Sequence, residues 1–421
     1  MTVSAIRAQI DSLRDVDILD QHDLTISSVL DDPYPAFREL RQTVGVYEGD
    51  ILPDLFGLPY SVANPAGDRP VFSILRYDDV VAVLRDYKTY SSTIYQETVG
   101  RVQGKNLLMV DPPDHTRLRT LLGPSFTRNR MAAWRNDVVE PLLDRYFIDS
   151  FIDDGRADLL RQLALSFPVR VIHHIMGLPQ ETAEELNRIA LGLLLISTKP
   201  EVALACSQAL AELIQADIVR HRNDPQDTLI DSLIAARGET GEDLLSDEEI
   251  LNFLRVLLPA GGETTTKNLS CLLVGLLTNP DQMDLLREKP ELLPNTIEEA
   301  LRWEAPTAFV YRQATCDTEL GGVKIPAGAG INVCVASANH DEERFSNPDD
   351  FDITRPPTKH MSFAFGPHMC IGMNLARMEV ETAISGLLRR LPNLRLDPDA
   401  PAPVIRGGTF RWATSVPAIW D

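Results

Sequence analysis

The chain has 421 residues, more than one hydrophobic core usually organises, and its 44% hydrophobic and 24% charged residues fit an ordinary globular protein of two domains or one large layered domain. Its net charge of -21 argues against nucleic acid or an anionic membrane surface as the main partner, because both would repel it. Five scattered cysteines, an odd number without a Cys-x-x-Cys pair, argue against a disulfide framework or a zinc ribbon and for intracellular thiols.

The opening stretch MTVSAIRAQIDSLRDVDILD lacks a basic start and an apolar run, so neither a signal peptide nor a membrane anchor is expected, and the protein reads as cytoplasmic. Asp32-Pro-Tyr-Pro leads into a helix over Ala36–Gln42, after which Val71–Leu75 reads as a strand and Asp78–Asp86 as a helix. From Tyr87 to Pro113 periodicity is weak, and so long a loop in a compact domain is usually functional or disordered. Helices are then expected from near Asp114 and over Asn136–Phe151, Ala157–Met176, Glu181–Ile196, Glu201–Arg222 and Thr228–Arg237. No internal repeat or low-complexity linker divides the chain, so residues 1–421 are expected to form a single domain.

Ser246-Asp-Glu-Glu249 carries serine and glutamate at capping-box spacing. Ile250, Phe253, Leu254, Leu257 and Leu258 follow at helical spacing, and Leu269, Leu272, Leu273, Leu276 and Leu277 resume the same stripe. A helix continuous to Thr278 would be ~48 Å long. Between the stripes lies Pro259-Ala-Gly-Gly-Glu-Thr-Thr-Thr266, which costs roughly 5 kcal/mol in helix propensity, and Pro259, with no N–H for the Arg255 carbonyl, should kink the helix. A stripe that resumes beyond such a cost points to a site rather than a helix end. The segment is not a phosphate loop, since Thr266 and Asn268 flank Lys267 where glycine and serine or threonine are needed. Gly328-Ala-Gly330 lacks the third glycine of a dinucleotide turn.

Glu299-Ala-Leu-Arg302 sets opposite charges one helical turn apart. Glu319–Ile325 and Gly330–Ser337 read as strands and Arg406–Pro417 as a terminal hairpin. Phe363-Ala-Phe-Gly366-Pro-His368-Met-Cys370-Ile-Gly372 stands just before a helical run from Met373 to Leu391. A helix start and its free N–H groups stabilise a thiolate. Gly366 admits backbone conformations closed to other residues, Gly372 lets the chain pass close to a flat ligand, and Phe363 shields the sulfur. These are the properties of a soft, anionic metal ligand.

Phe-x-x-Gly-x-x-x-Cys-x-Gly resembles the haem-binding loop of the cytochrome P450 family, with Ala364 where many members have glycine. The resemblance covers roughly Asp111 to Arg406. It implies a mainly α fold with a smaller β-rich part, in which a long central helix lies over the haem and the cysteine loop beneath it. Haem b would be ligated by Cys370, framed by Phe363, Gly366 and Gly372, with its propionates on His115, Arg119, Arg312 and His368. Ala260-Gly-Gly-Glu263-Thr264-Thr265 resembles the oxygen-activating segment: Ala260 and Gly261 leave room over the iron, and Glu263 and Thr264 deliver protons. Glu299, Arg302 and Arg355 resemble the family's buried structural triad. Ala260, Ala308, Val310, Thr409 and Phe410 are expected in the substrate pocket, and their lack of charge favours an apolar organic compound.

The implied activity is monooxygenation by O2, hydroxylation or oxidative dealkylation, without a fused reductase and with electrons from a separate ferredoxin and ferredoxin reductase. Between His115 and Arg135 the chain carries Arg117, Arg119, Arg128, Arg130 and Arg135 and no acid, so Arg128 or Arg130 is expected to help bind that donor. A peroxide-driven peroxygenase is an alternative against which the Glu263–Thr264 pair weighs. A non-catalytic haem-binding sensor is another.

Overall fold

In a computed structural model that describes residues 32–57, 62–193, 199–236 and 244–421, the helix Asp247–Thr278 is the element on which the helical layers pack. It starts where the capping box predicts: Glu249 N–H donates to Ser246 Oγ at 3.1 Å, and Ser246 N–H donates to Glu249 Oε2 at 2.9 Å. It stays helical through Pro259 for its full 32 residues. The two glycines explain how. A Cβ on Gly261 would lie 2.7 Å from Ile172 Cδ1, and one on Gly262 would lie 2.8 Å from Val169 Cγ2, so bare backbone lets the helix Phe167–Met176 approach closely. Burying two such side chains is worth about 3–6 kcal/mol, which matches the propensity cost.

The β-rich part is a five-stranded sheet in the order Val46–Tyr47, Val71–Ile74, Gly330–Cys334, Phe309–Ala314, Tyr90–Ser91. Only the pairing of Val71–Ile74 with Gly330–Cys334 is parallel. Its core centres on Phe37, Phe72, Phe309 and Val333, while the larger core gathers the helices around the central one. A fold mainly of helices with a smaller β part is therefore what forms.

Several local expectations change. Arg156–Asp158 is a strand rather than the start of a helix, because it pairs with Pro417–Ile419, which also pairs with Arg395–Leu396. The helix ending at Met176 accordingly begins at Phe167. The strand from Gly330 ends at Cys334 and a short helix takes Val335–Asn339. In the terminal hairpin only Ile405–Arg406 and Trp412–Ala413 pair. The long loop after Tyr87 holds short helical turns at Thr93–Glu97, Gly100–Gln103 and Leu107–Met109. Residues 1–20, Ile196 and Arg237 lie outside the described residues. The helix Pro200–Asn223 is long and apolar enough to cross a membrane by length and composition, yet half of its apolar window is buried, and it packs on the central helix.

The triad forms in full. Arg302 donates from Nε and Nη2 to Glu299 at 2.8 and 2.7 Å, and Arg355 Nε lies 3.0 Å from Glu299 Oε2. Asp352 N–H adds a further bond to Glu299 at 3.0 Å, and all three charged side chains are buried. Backbone carbonyls of Asn339, Pro348, Ser346 and Asn347 accept the remaining guanidinium protons. Glu299→Ala should strand two buried guanidiniums and lower stability by about 3–5 kcal/mol. Equilibrium denaturation checks this, and a loss near zero would remove the triad from the fold's support.

Candidate functional site

The cysteine loop is fixed by its own backbone. Cys370 N–H donates to the Phe363 carbonyl at 2.9 Å and Ala364 N–H to the Met361 carbonyl at 2.7 Å, and Gly372 caps the helix Met373–Arg390. Gly366 has φ +72°, and a Cβ there would run into the Leu84 carbonyl oxygen, so glycine is required on both counts. Ala364 holds φ +57° although it carries a Cβ. The Arg377 guanidinium lies 4.6 Å from the Phe363 ring centroid while bonded to Glu298.

At the sulfur, burial pushes the Cys370 thiol up in pKa, while the Gly372 and Met373 N–H groups and the charges of Arg119 and Arg377 pull it down; burial wins. A bound metal cation would deprotonate a coordinating thiol outright. Among the described residues no three His, Cys, Asp or Glu side chains converge on a metal.

Four side chains expected to meet an anion do come together. The rings of His115 and His368 are 4.2 Å apart, and both Nε2 atoms are buried without a hydrogen bond. His368 Nε2 stands 3.6 Å from Asp111 Oδ1. Arg312 is 3% exposed and bonds the Tyr311 carbonyl at 2.7 Å and the Tyr95 hydroxyl, with no carboxylate in salt-bridge range among the described residues. Arg119 donates to the Met369 carbonyl. Burial disfavours the charged form of each: it pushes His115 down to about 4, with the His368 and Arg119 charges adding, and it lowers His368, Arg119 and Arg312. Orphaned donors and unneutralised arginines fit a group that arrives with carboxylates. A Cβ built on Gly372 would touch only Cys370 Sγ, at 3.9 Å, in otherwise open space beside the sulfur, which fits a flat ring there.

On the central helix Ala260 is exposed while Pro259 and Gly262 are buried. One turn on, the Thr264 hydroxyl donates to the Ala260 carbonyl at 2.7 Å. Gly261 was expected to clear space beside Ala260, but its missing Cβ faces Ile172, so it serves helix packing. Of the pocket candidates, Ala308 N–H donates to the Thr409 carbonyl at 2.8 Å and Phe410 bridges to Thr307; Val310 lies half-buried on the strand face of Ala308. Sequence reasoning missed Lys267, which is wholly buried, ion-paired to Glu263 and 4.0 Å from the Phe410 ring centroid. Its i, i+4 spacing from Glu263 is the signal that identifies it. Asp111, facing His368, was missed as well.

The profile of the cytochrome P450 family matches residues 169–405. Cytochrome P450 107B1 of Saccharopolyspora erythraea is 38% identical over 297 residues, 70% of this chain and 71% of its own. Cytochrome P450 monooxygenase PikC of Streptomyces venezuelae is 34% identical over 394 residues, 89% of each chain. The crystal structure of CYP109E1 from Bacillus megaterium in complex with testosterone superposes with a TM-score of 0.81 at 27% identity, covering 93% of this chain and 99% of that one.

The left-handed conformation of Ala364 carries a cost that glycine would not. Ala364→Gly should raise stability by about 1 kcal/mol, the steric penalty less the entropy that glycine loses on folding. An unchanged or lower denaturation midpoint would mean that the loop bears no strain there.

Proposed function

The chain belongs to the cytochrome P450 family and is a haem-thiolate monooxygenase, and on that premise we propose the roles its own residues take. The reaction inserts one atom of O2 into an organic substrate and reduces the other to water with two electrons and two protons. When bound, haem b supplies the iron at which dioxygen is activated, and its thiolate ligand adds electron density that favours O–O cleavage. Cys370 is that ligand, its backbone N–H held by the Phe363 carbonyl. Arg119 and Arg312 neutralise the propionates, and His115 and His368 donate hydrogen bonds to them. The observation that carries this reading is the buried, unbonded Nε2 of His115, next to a His368 Nε2 met only by Asp111 at 3.6 Å and to two arginines with no carboxylate in salt-bridge range among the described residues.

Thr264, resting on the Ala260 carbonyl, has a hydroxyl that both accepts and donates a proton, and Glu263 exchanges protons with solvent. The intact pair favours turnover driven by O2 and electrons over peroxide-driven chemistry. The substrate is apolar: Ala260, Ala308, Val310, Thr409 and Phe410 bring no charge, and CYP109E1 holds testosterone.

The described residues act as one domain and take electrons from a separate protein, a ferredoxin served by its reductase. Of the arginines considered for its docking, Arg117 pairs with Glu249, Arg130 with Asp227 and Arg135 with Glu381. Arg128 is exposed and forms no ion pair among the described residues, so the steering charge is assigned to it alone.

Thr264→Ala should leave substrate binding intact but cut product formation on the order of 10²-fold, diverting electrons to hydrogen peroxide. Unchanged product per electron pair would remove Thr264 from proton delivery. Arg128→Glu should slow reduction by ferredoxin about two- to five-fold at low salt, with the deficit shrinking as salt rises. Equal rates across the salt series, at equal haem content, would place the donor elsewhere.

A further inference from the structure

Lys267 lies one turn beyond Glu263 on the central helix and is 0% exposed. Its Nζ contacts Glu263 Oε1, and among the described residues that carboxylate is its one acidic partner. Two aromatic rings face it as well: Nζ is 4.0 Å from the Phe410 ring centroid and 5.5 Å from that of Trp412. That wall cannot readily yield. Ala413 N–H donates to Ser270 Oγ at 3.3 Å, and the intervening Arg411 is bound to buried Glu304 at 2.6 Å. The ammonium thus has a helix on one side and a tethered aromatic segment on the other, and it is buried from solvent.

Glu263 is different. Its side chain is 16% exposed, Oε1 is taken by Lys267, and Oε2 accepts no hydrogen bond from the described residues. A carboxylate that swung away to collect a proton would leave a charge unpaired in an apolar pocket, one of the most unfavourable arrangements available to a side chain. Thr264 is tied in the opposite direction, back to Ala260. Both polar side chains are therefore held by their own helix, one forward by four residues and one back by four.

We propose that Lys267 is a positioning residue for the monooxygenase reaction: it pins Oε1 of Glu263, so that Glu263 serves as a stationary carboxylate presenting Oε2 to solvent and does not swing as an arm. This rests on the relay role of Glu263 given above. Proton transfer then runs over a path whose geometry is set before substrate arrives, and the ammonium fixes that geometry from a place where solvent cannot compete for it.

The test compares holoenzymes carrying Lys267→Met, Glu263→Gln and both changes, reading substrate affinity, haem content, product per electron pair and thermal midpoint. Lys267→Met should bind substrate and haem as the wild type does, yet lose about ten-fold in product formation to peroxide release. Added to Glu263→Gln, it should cost nothing more in coupling. The thermal midpoint gives a readout independent of turnover: Glu263→Gln strands the ammonium and should lower the midpoint, and the double variant should recover most of that loss. Full coupling in Lys267→Met, or losses that add in the double variant, would overturn the positioning role. Unchanged coupling in Glu263→Gln would overturn the relay role beneath it. Should Lys267→Met not retain haem, the double variant, which buries no lone charge, is set against Glu263→Gln: equal coupling supports the role and a further loss overturns it.

Discussion

Charge withdrawn from water must meet its opposite, and three parts of this fold are arranged by that requirement. At Glu299 it is met within the chain, by two arginines whose remaining protons go to backbone carbonyls. At Arg119 and Arg312, beside His115 and His368 whose charged forms burial disfavours, it is not, because Asp111 is the one carboxylate that stands near this group in the ion pairs and local charges described. At Lys267 it is met by a single carboxylate with one oxygen left over. The first arrangement is finished and acts as a lock. The second is complementary to a ligand's carboxylates, and the third leaves a polar atom open to solvent.

The central helix shows how a locally unfavourable sequence is sustained by what packs against it. Proline and paired glycines weaken it as a helix, but the glycines admit Val169 and Ile172 at distances that no side chain would tolerate. The same close contact fixes which face is left over. With Gly261 and Gly262 turned to the neighbouring helix, Ala260 is exposed and Thr264 follows one turn on. Placement of the oxygen segment is therefore a consequence of helix packing on its other side.

What could be read from residues alone was what local chemistry dictates. The Ser246–Glu249 box marked a helix start because its two hydrogen bonds span four residues, and the cysteine loop was legible because Gly366 must adopt a positive φ. Arg156–Asp158 was misread because its strand depends on a partner some 260 positions away, beyond the reach of periodicity. The candidate donor arginines had the same difficulty: Arg130 and Arg135 find acids far along the chain, Asp227 and Glu381, which no composition count could reveal. Lys267 was within reach, at helical spacing from Glu263, but its burial by Phe410 and Trp412 was not.

The segment from Thr409 to Ala413 joins matters that are usually treated apart. Thr409 and Phe410 lie against Thr307 and Ala308, the candidate substrate wall; Arg411 is bound to buried Glu304; and Phe410 and Trp412 cover the ammonium that holds Glu263. One short stretch of backbone thus joins the candidate substrate surface to the confinement of the Lys267–Glu263 pair. A cation over an aromatic face is sensitive to the position of the ring. A bulkier or smaller side chain at Phe410 would therefore act on the Lys267–Glu263 pair as well as on substrate fit. On the roles proposed for Phe410 and Glu263, selectivity and proton delivery would share a structural support, and changing that residue would move both.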